Sequence, residues 1–106
     1  MDKIQQFLSE HRLKPYDNAT LLNRKDAVVF LGLLRENNLR LLGFDGFHLL
    51  KNVSPRAIQI DQDYSADYSD DSFEISYQKA KDFFEQHKEG DIAYEFVYDS
   101  KQKKQV

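Results

Sequence analysis

The segment from residue 91 to residue 99, DIAYEFVYD, places a large apolar or aromatic side chain at every second position. These side chains are Ile92, Tyr94, Phe96 and Tyr98. Because successive side chains of a β-strand point to opposite faces of a sheet, this spacing predicts a strand with one buried face. The chain must therefore supply partner strands and a layer of structure that covers this face.

Three segments have the periodicity of helices. In residues 3–13 apolar side chains recur at helical spacing, and Pro15 predicts that this helix ends shortly before it. The second segment begins at Asn23, a favourable N-cap residue, and ends at Asn37. Its interior, AVVFLGLL at 27–34, is apolar on every face, which is typical either of a helix buried on all sides or of a central strand. The length of the segment favours the helix.

The third helical segment begins near the end of the sequence DYSDDSFE. Asp71 and Glu74 have the spacing of a capping box, so the helix is predicted to start there. Apolar side chains and His87 then continue at helical spacing, and Gly90 predicts the end of the helix.

The segment LRLLGFDGFHLLK places Asp45 and Gly46 between two apolar runs. An Asp-Gly pair in that setting is typical of a two-residue hairpin turn, because both turn residues need positive φ angles. This hairpin would set Phe44 opposite Phe47. The segment RAIQI at 56–60 is a candidate for a third short strand.

Together these elements predict an α+β domain with a small, largely antiparallel sheet of three to four strands and about three helices, in the order α-α-β-β-(β)-α-β. At 106 residues the chain is expected to form one domain with one core. We expect residues 1–100 to form this domain and residues 101–106, KQKKQV, to be a disordered basic tail.

Motifs for catalysis or metal binding are scarce in the sequence. The absence of cysteine excludes disulfides, thiolate metal sites and a cysteine nucleophile. The three histidines, His11, His48 and His87, are far apart in sequence, and no HExxH, GxSxG, P-loop or GxGxxG motif occurs. We therefore expect no enzymatic activity and no cofactor. A small hydrolase that combines carboxylates with His48 is the catalytic alternative.

The N-terminal residues, MDKIQQFLSEH, have neither the basic start nor the apolar core of a signal peptide. The longest apolar run, residues 27–34, is much shorter than the roughly 20 residues of a transmembrane helix. These features predict a cytoplasmic protein without a membrane partner.

The strongest functional signal is the acidic stretch, DQDYSADYSDDSFE at 61–74, which holds five aspartates, one glutamate and no basic side chain. Residues 1–60 contain nine Lys/Arg against six Asp/Glu, and residues 75–106 contain six of each. The net acidity of the chain is therefore confined to the acidic stretch. Such a local field attracts a cationic partner and disfavours nucleic acid as a partner.

Three interpretations of the acidic stretch are open: a solvated loop that caps the next helix, a calcium site, and a docking surface for a basic protein. An EF-hand loop that starts at Asp63 lacks the required glycine, since Tyr68 occupies its sixth position. A looser calcium site in a structural or regulatory module remains an alternative, with the ligands Asp61, Asp63, Asp67 and Asp70. In the docking interpretation the carboxylates steer the partner and the tyrosines anchor it. The predicted partner-binding residues are Asp61, Asp63, Tyr64, Asp67, Tyr68, Asp70 and Asp71.

Four segments between residues 39 and 98, GFDGFHLL, DYSADYSDD, SYQKAKDFF and DIAYEFVY, resemble small bacterial immunity proteins of polymorphic-toxin systems. The resemblance implies a non-catalytic cytoplasmic protein that binds and blocks one cognate toxin, for which a nuclease is one candidate. The oligomeric state stays open, and the DIAYEFVY strand is a candidate edge for pairing with a second copy.

Overall fold

The computed structural model describes residues 2–13, 20–49, 60–88 and 92–102. The elements in chain order are α1 (Lys3–His11), β1 (Leu22–Asn23), α2 (Arg24–Glu36), β2 (Leu39–Leu49), β3 (Ile60–Asp67), α3 (Phe73–Gln86) and β4 (Ile92–Gln102). The strands form one antiparallel sheet in the order β1-β4-β2-β3. The predicted α+β class, with about three helices and a small antiparallel sheet, is confirmed.

The helices form a layer on one face of the sheet. Helix α2 contacts β1, β2 and β4, α3 contacts β2, and α1 packs on α2. The core between the two layers is rich in aromatic side chains, and Phe44 of β2 lies at its centre with 1% of its surface exposed. Its ring contacts five other rings, those of Tyr68, Phe83, Phe84, Tyr94 and Phe96. The opposite face of the sheet carries no helix among the described residues.

Helix α2 resolves the ambiguity of residues 27–34, which are helical as their length predicted. The Asn23 side chain accepts a hydrogen bond from the Asp26 backbone N–H at 2.8 Å, as expected for an N-cap. The expectation of burial on all sides is wrong, because Val28 and Val29 are 42% and 53% exposed. Among the described residues, one side of α2 meets the sheet and the other helices, and Val28 and Val29 lie away from that side.

Helix α3 begins one residue later than predicted. Its N-cap is Ser72, whose hydroxyl accepts a hydrogen bond from the Ile75 N–H, so Asp71 and Glu74 do not form a capping box. Glu74 instead accepts a hydrogen bond from Arg35 of α2 at 2.6 Å. The helix ends at Gln86, and the predicted stop at Gly90 lies outside the described residues.

The predicted hairpin turn at Asp45 and Gly46 is wrong, because β2 runs through both residues without a turn. The strand lies between β3 and β4, and these neighbours provide hydrogen-bond partners along its whole length. Gly46 is needed for packing instead of for a turn, since a Cβ atom there would lie 3.1 Å from the rings of both Tyr64 and Tyr94.

Strand β4 has the alternation that its sequence predicts: Ile92, Tyr94 and Phe96 are buried, and Tyr98 packs against the core. It lies between β1 and β2, although β1 pairs only with Ala93 and Tyr94. The strand continues to Gln102 and so includes two residues of the predicted disordered tail; residues 103–106 lie outside the described part of the chain. No described helix has both the length and the apolar content required to span a bilayer.

Candidate functional site

The acidic stretch was predicted to be a loop after a strand at 56–60, and the structure corrects this assignment. Its first seven residues belong to β3, which starts at Ile60 and lies at the edge of the sheet. Residues 56–59 of the predicted strand lie outside the described residues. A turn over residues 68–72 then leads into α3. The acidic stretch therefore consists of an edge strand over 61–67, a turn over 68–72 and the first two residues of α3.

Among the predicted site residues, the first two lie on β3. Asp61 is in register with His48, and Asp63 lies where the β2–β3 register shifts, between the pairs Phe47–Gln62 and Gly46–Tyr64. The side chains of Asp61, Asp63 and His48 lie outside those described. Their roles in partner binding or catalysis stay predictions.

The two tyrosines of the acidic stretch point towards the helices. Tyr64 is half-buried and packs against Phe83 and His87, with ring centroids 5.0 Å apart in both contacts. Tyr68 is 9% exposed and packs edge-on against Phe44. Burial raises the pKa of the Tyr68 phenol, and the charge of Asp71 adds to the increase. The burial of Tyr68 argues against its predicted role as a surface anchor.

The turn after β3 is held by hydrogen bonds from within the protein. Arg40 of β2 donates to the backbone carbonyls of Ser69 and Asp71, at 2.6 and 3.2 Å. The Asp67 carboxylate accepts hydrogen bonds from the hydroxyl and the N–H of Ser69, and these bonds hold the pKa of Asp67 below its usual value. Asp71 pairs with Lys79 at 2.9 Å. Asp67 and Asp70 have exposed side chains. Asp71 is half-buried, and Lys79 partly neutralises its charge.

The strand geometry argues against the calcium alternative. Residues of an extended strand are spaced by roughly 3.3 Å, so the backbones of Asp63 and Asp67 are about 13 Å apart and those of Asp61 and Asp67 about 20 Å apart. Calcium ligands lie within roughly 2.6 Å of the ion, a distance that short aspartate side chains cannot reach across such a span. Among the described side chains, no three acidic or histidine residues lie close enough together to hold a metal ion.

A second group of carboxylates lies on the face of the sheet opposite the helices. Asp45 of β2 is flanked in register by Ser65 of β3 and by Glu95 of β4, and Asp67 follows two residues after Ser65. Because alternate residues of a strand share a face, these side chains point away from the core side of Phe44. Exposed or half-exposed apolar side chains lie beside them. We define the outer face by the residues Asp45, Phe47, Ser65, Asp67, Glu95 and Val97.

Three of these six outer-face side chains are acidic and none is basic. Asp45 and Glu95 are cross-strand neighbours, an arrangement of like charges that opposes sheet stability. Glu95 accepts a hydrogen bond from the Thr20 N–H at 2.9 Å, which offsets part of this repulsion. Val97, on the next outward position of β4, is 50% exposed. The outer face thus combines negative charge with accessible apolar surface.

A shallow groove of about 280 Å³ crosses the outer face, and its lining includes Leu42, Asp45, Asp67 and Val97. At Gly43, which also lines the groove, a Cβ atom would lie 2.2 Å from the Ala66 carbonyl oxygen. The sequence pattern did not predict this groove, because the Asp-Gly pair is typical of a turn and Asp45 was expected to lie in one. The alternation of DIAYEFVYD does place Glu95 on the face opposite Tyr94, and this signal was sufficient to identify Glu95 as outward-facing.

Comparisons of the chain with protein-family models, with curated proteins and with solved structures give no significant match.

Proposed function

We propose that the protein is a non-catalytic inhibitory binding protein that covers a basic site on a cognate toxin with its outer face. This is the function that the resemblance to bacterial immunity proteins implies. The observation that carries the proposal is the group of three carboxylates, Asp45, Asp67 and Glu95, on the same sheet face as the exposed Val97, a face that carries no helix among the described residues.

The composition of the outer face matches what a binding surface for a basic protein requires. Carboxylates raise the rate of association with a positively charged partner and select against other partners. Apolar side chains of the outer face, here Phe47 and Val97, supply the area that becomes dehydrated in the complex. The exposed side chains of Asp67 and Asp70 extend the negative field towards the turn.

The proposal is tested by co-expression with the product of the adjacent open reading frame. We expect that product to arrest bacterial growth alone and the unmodified protein to restore growth. The outer-face variant Asp45→Asn, Asp67→Asn, Glu95→Gln should bind the toxin about tenfold more weakly at low salt, because exposed charge pairs each contribute up to about 1 kcal/mol. Its affinity should also depend less on salt concentration.

The matched control removes three exposed carboxylates from the helices: Glu36→Gln, Asp82→Asn, Glu85→Gln. Both variants carry three fewer negative charges, so they separate local complementarity from net charge. The control should keep the affinity of the unmodified protein. Equal affinities for all three proteins, or failure of the unmodified protein to restore growth, would contradict the proposal.

A further inference from the structure

The edge of the sheet at β3 is a second feature that bears on the partner. In the described part of the chain, β3 pairs with β2 on one side and with no strand on the other. The strand contains neither proline nor lysine, two residues that proteins commonly place on edge strands to prevent pairing. Its register with β2 shifts near Asp63, which leaves Tyr64–Asp67 as the regular part of the edge.

The hydrogen bonds of β3 show which backbone groups point away from the sheet. The Tyr68 N–H donates to the Leu42 carbonyl at 2.7 Å. In an antiparallel ladder, hydrogen-bonded pairs alternate with pairs that are not hydrogen-bonded. The bonded pairs are therefore Leu42–Tyr68, Phe44–Ala66 and Gly46–Tyr64. The N–H and C=O groups of Ser65 and Asp67 are directed to the open edge.

The charges of β3 oppose pairing with a second copy of the chain in two antiparallel registers. An antiparallel pair of β3 strands centred on Tyr64 would set Asp61 opposite Asp67, and one centred on Ser65 would set Asp63 opposite Asp67. Like charges directly opposite each other destabilise a strand pair. A strand with basic side chains would instead place them beside these carboxylates.

We propose that the partner adds an extended segment to the β3 edge, with basic side chains at alternate positions and backbone hydrogen bonds to Ser65 and Asp67. This inference rests on the proposed function, since it specifies how the basic partner docks. An added strand lies about 4.8 Å from β3. Every second side chain of that strand then points to the outer face, next to Asp67 and in line with the Ser65–Asp45–Glu95 row. Backbone hydrogen bonds supply affinity and the alternate side chains supply specificity.

The test uses an eight-residue peptide that alternates lysine with threonine and has blocked ends. When this peptide binds to the isotope-labelled protein at low salt, the amide signals of Ser65 and Asp67 in the protein should shift most. Ser65→Pro removes an N–H that points to the open edge, a position where proline is tolerated in a strand. It should weaken peptide binding at least about tenfold, as expected for the loss of one or two hydrogen bonds, and the control Ser65→Ala should not.

A second peptide keeps the test valid if Ser65→Pro does not fold. In this peptide every second backbone nitrogen is methylated, which preserves its charge and removes its hydrogen bonds. The methylated peptide should bind the unmodified protein at least about tenfold more weakly than the first.

Strand addition is overturned if the unmethylated peptide does not bind, if both peptides bind equally, or if Ser65→Pro binds as well as Ser65→Ala. The same measurements distinguish this inference from the proposed function. Loss of toxin binding in the outer-face variant, with unchanged toxin binding in Ser65→Pro, overturns strand addition and leaves the proposed function intact. Retention of toxin binding in the outer-face variant contradicts the proposed function itself.

Discussion

Replacing Phe44 with alanine should destabilise the fold by about 3–5 kcal/mol, the loss expected for truncation of a fully buried phenylalanine. Phe44 is 1% exposed and contacts five aromatic rings that belong to β4, α3 and the turn after β3. The alanine variant would leave a cavity between the sheet and the helices. Since a small domain has only about 5–15 kcal/mol of stability, this loss is a large fraction of the total.

The measurement is thermal or urea unfolding of Phe44→Ala next to Phe47→Ala. In the predicted hairpin the two phenylalanines would be cross-strand neighbours on one face. Truncation of either one would then reduce the stability of the fold by a similar amount. In the structure Phe47 is half-buried and points to the outer face, so its truncation should cost less than half as much. We expect Phe44→Ala to lower Tm by at least about 12 °C. Equal losses for the two variants would contradict the continuous β2 strand.

Gly43→Ala should destabilise the fold by about 2–3 kcal/mol, near the upper end for overpacking of a tight site. The new Cβ atom would lie 2.2 Å from the Ala66 carbonyl oxygen, a backbone atom that cannot move unless β3 separates from β2. The same separation would displace Asp67, which lies opposite Gly43, and so would alter the groove on the outer face.

Gly32→Ala is the matched control. Gly32 lies within α2, and a Cβ atom there would have no neighbour within 4 Å. Alanine is favoured over glycine inside a helix by roughly 1 kcal/mol, so this variant should be more stable than the unmodified protein. Urea unfolding of both variants should therefore give changes of opposite sign. A neutral Gly43→Ala variant would show that β2 and β3 do not approach as closely as described.

The elements that were predicted well depend on local sequence signals. The apolar spacing of α1, the N-cap of α2 and the alternation of β4 each involve residues that are close together in sequence. The observed N-cap of α3 lies one residue after the predicted one, because Ser72 and Asp71 are both good N-cap residues. Glu74 accepts a hydrogen bond from Arg35 and does not bond to the backbone at the start of the helix. Most of these features are therefore determined by residues that are close together in sequence.

The predictions that are wrong concern segments whose structure depends on contacts with residues far away in sequence. Asp-Gly favours a turn locally, but β3 and β4 flank β2 on both sides and hold it extended through both residues. Aspartate-rich segments are unfavourable in strands, yet β3 forms because Tyr64 and Ala66 pack against the core. These contacts join residues that are far apart in sequence, so single-segment patterns did not reveal them.

The candidate site was only partly predictable for the same reason. The acidic stretch indicated a negative surface, and Asp67 belongs to that surface in the structure. The outer face adds Asp45 and Glu95, which the register of three strands brings into one row with Ser65. Conversely, Tyr68 was expected at the surface, but its ring packs against Phe44, 24 residues away in sequence.

The central claim is that the outer face forms the contact with a basic partner. Its most direct test is chemical labelling of carboxylates in the free protein and in the complex with the toxin, with the modified residues quantified by mass spectrometry. We expect Asp45, Asp67 and Glu95 to be protected in the complex, while Glu36, Asp82 and Glu85 on the helices are labelled as in the free protein. Protection of the helix carboxylates with unchanged labelling of the outer face would contradict the claim.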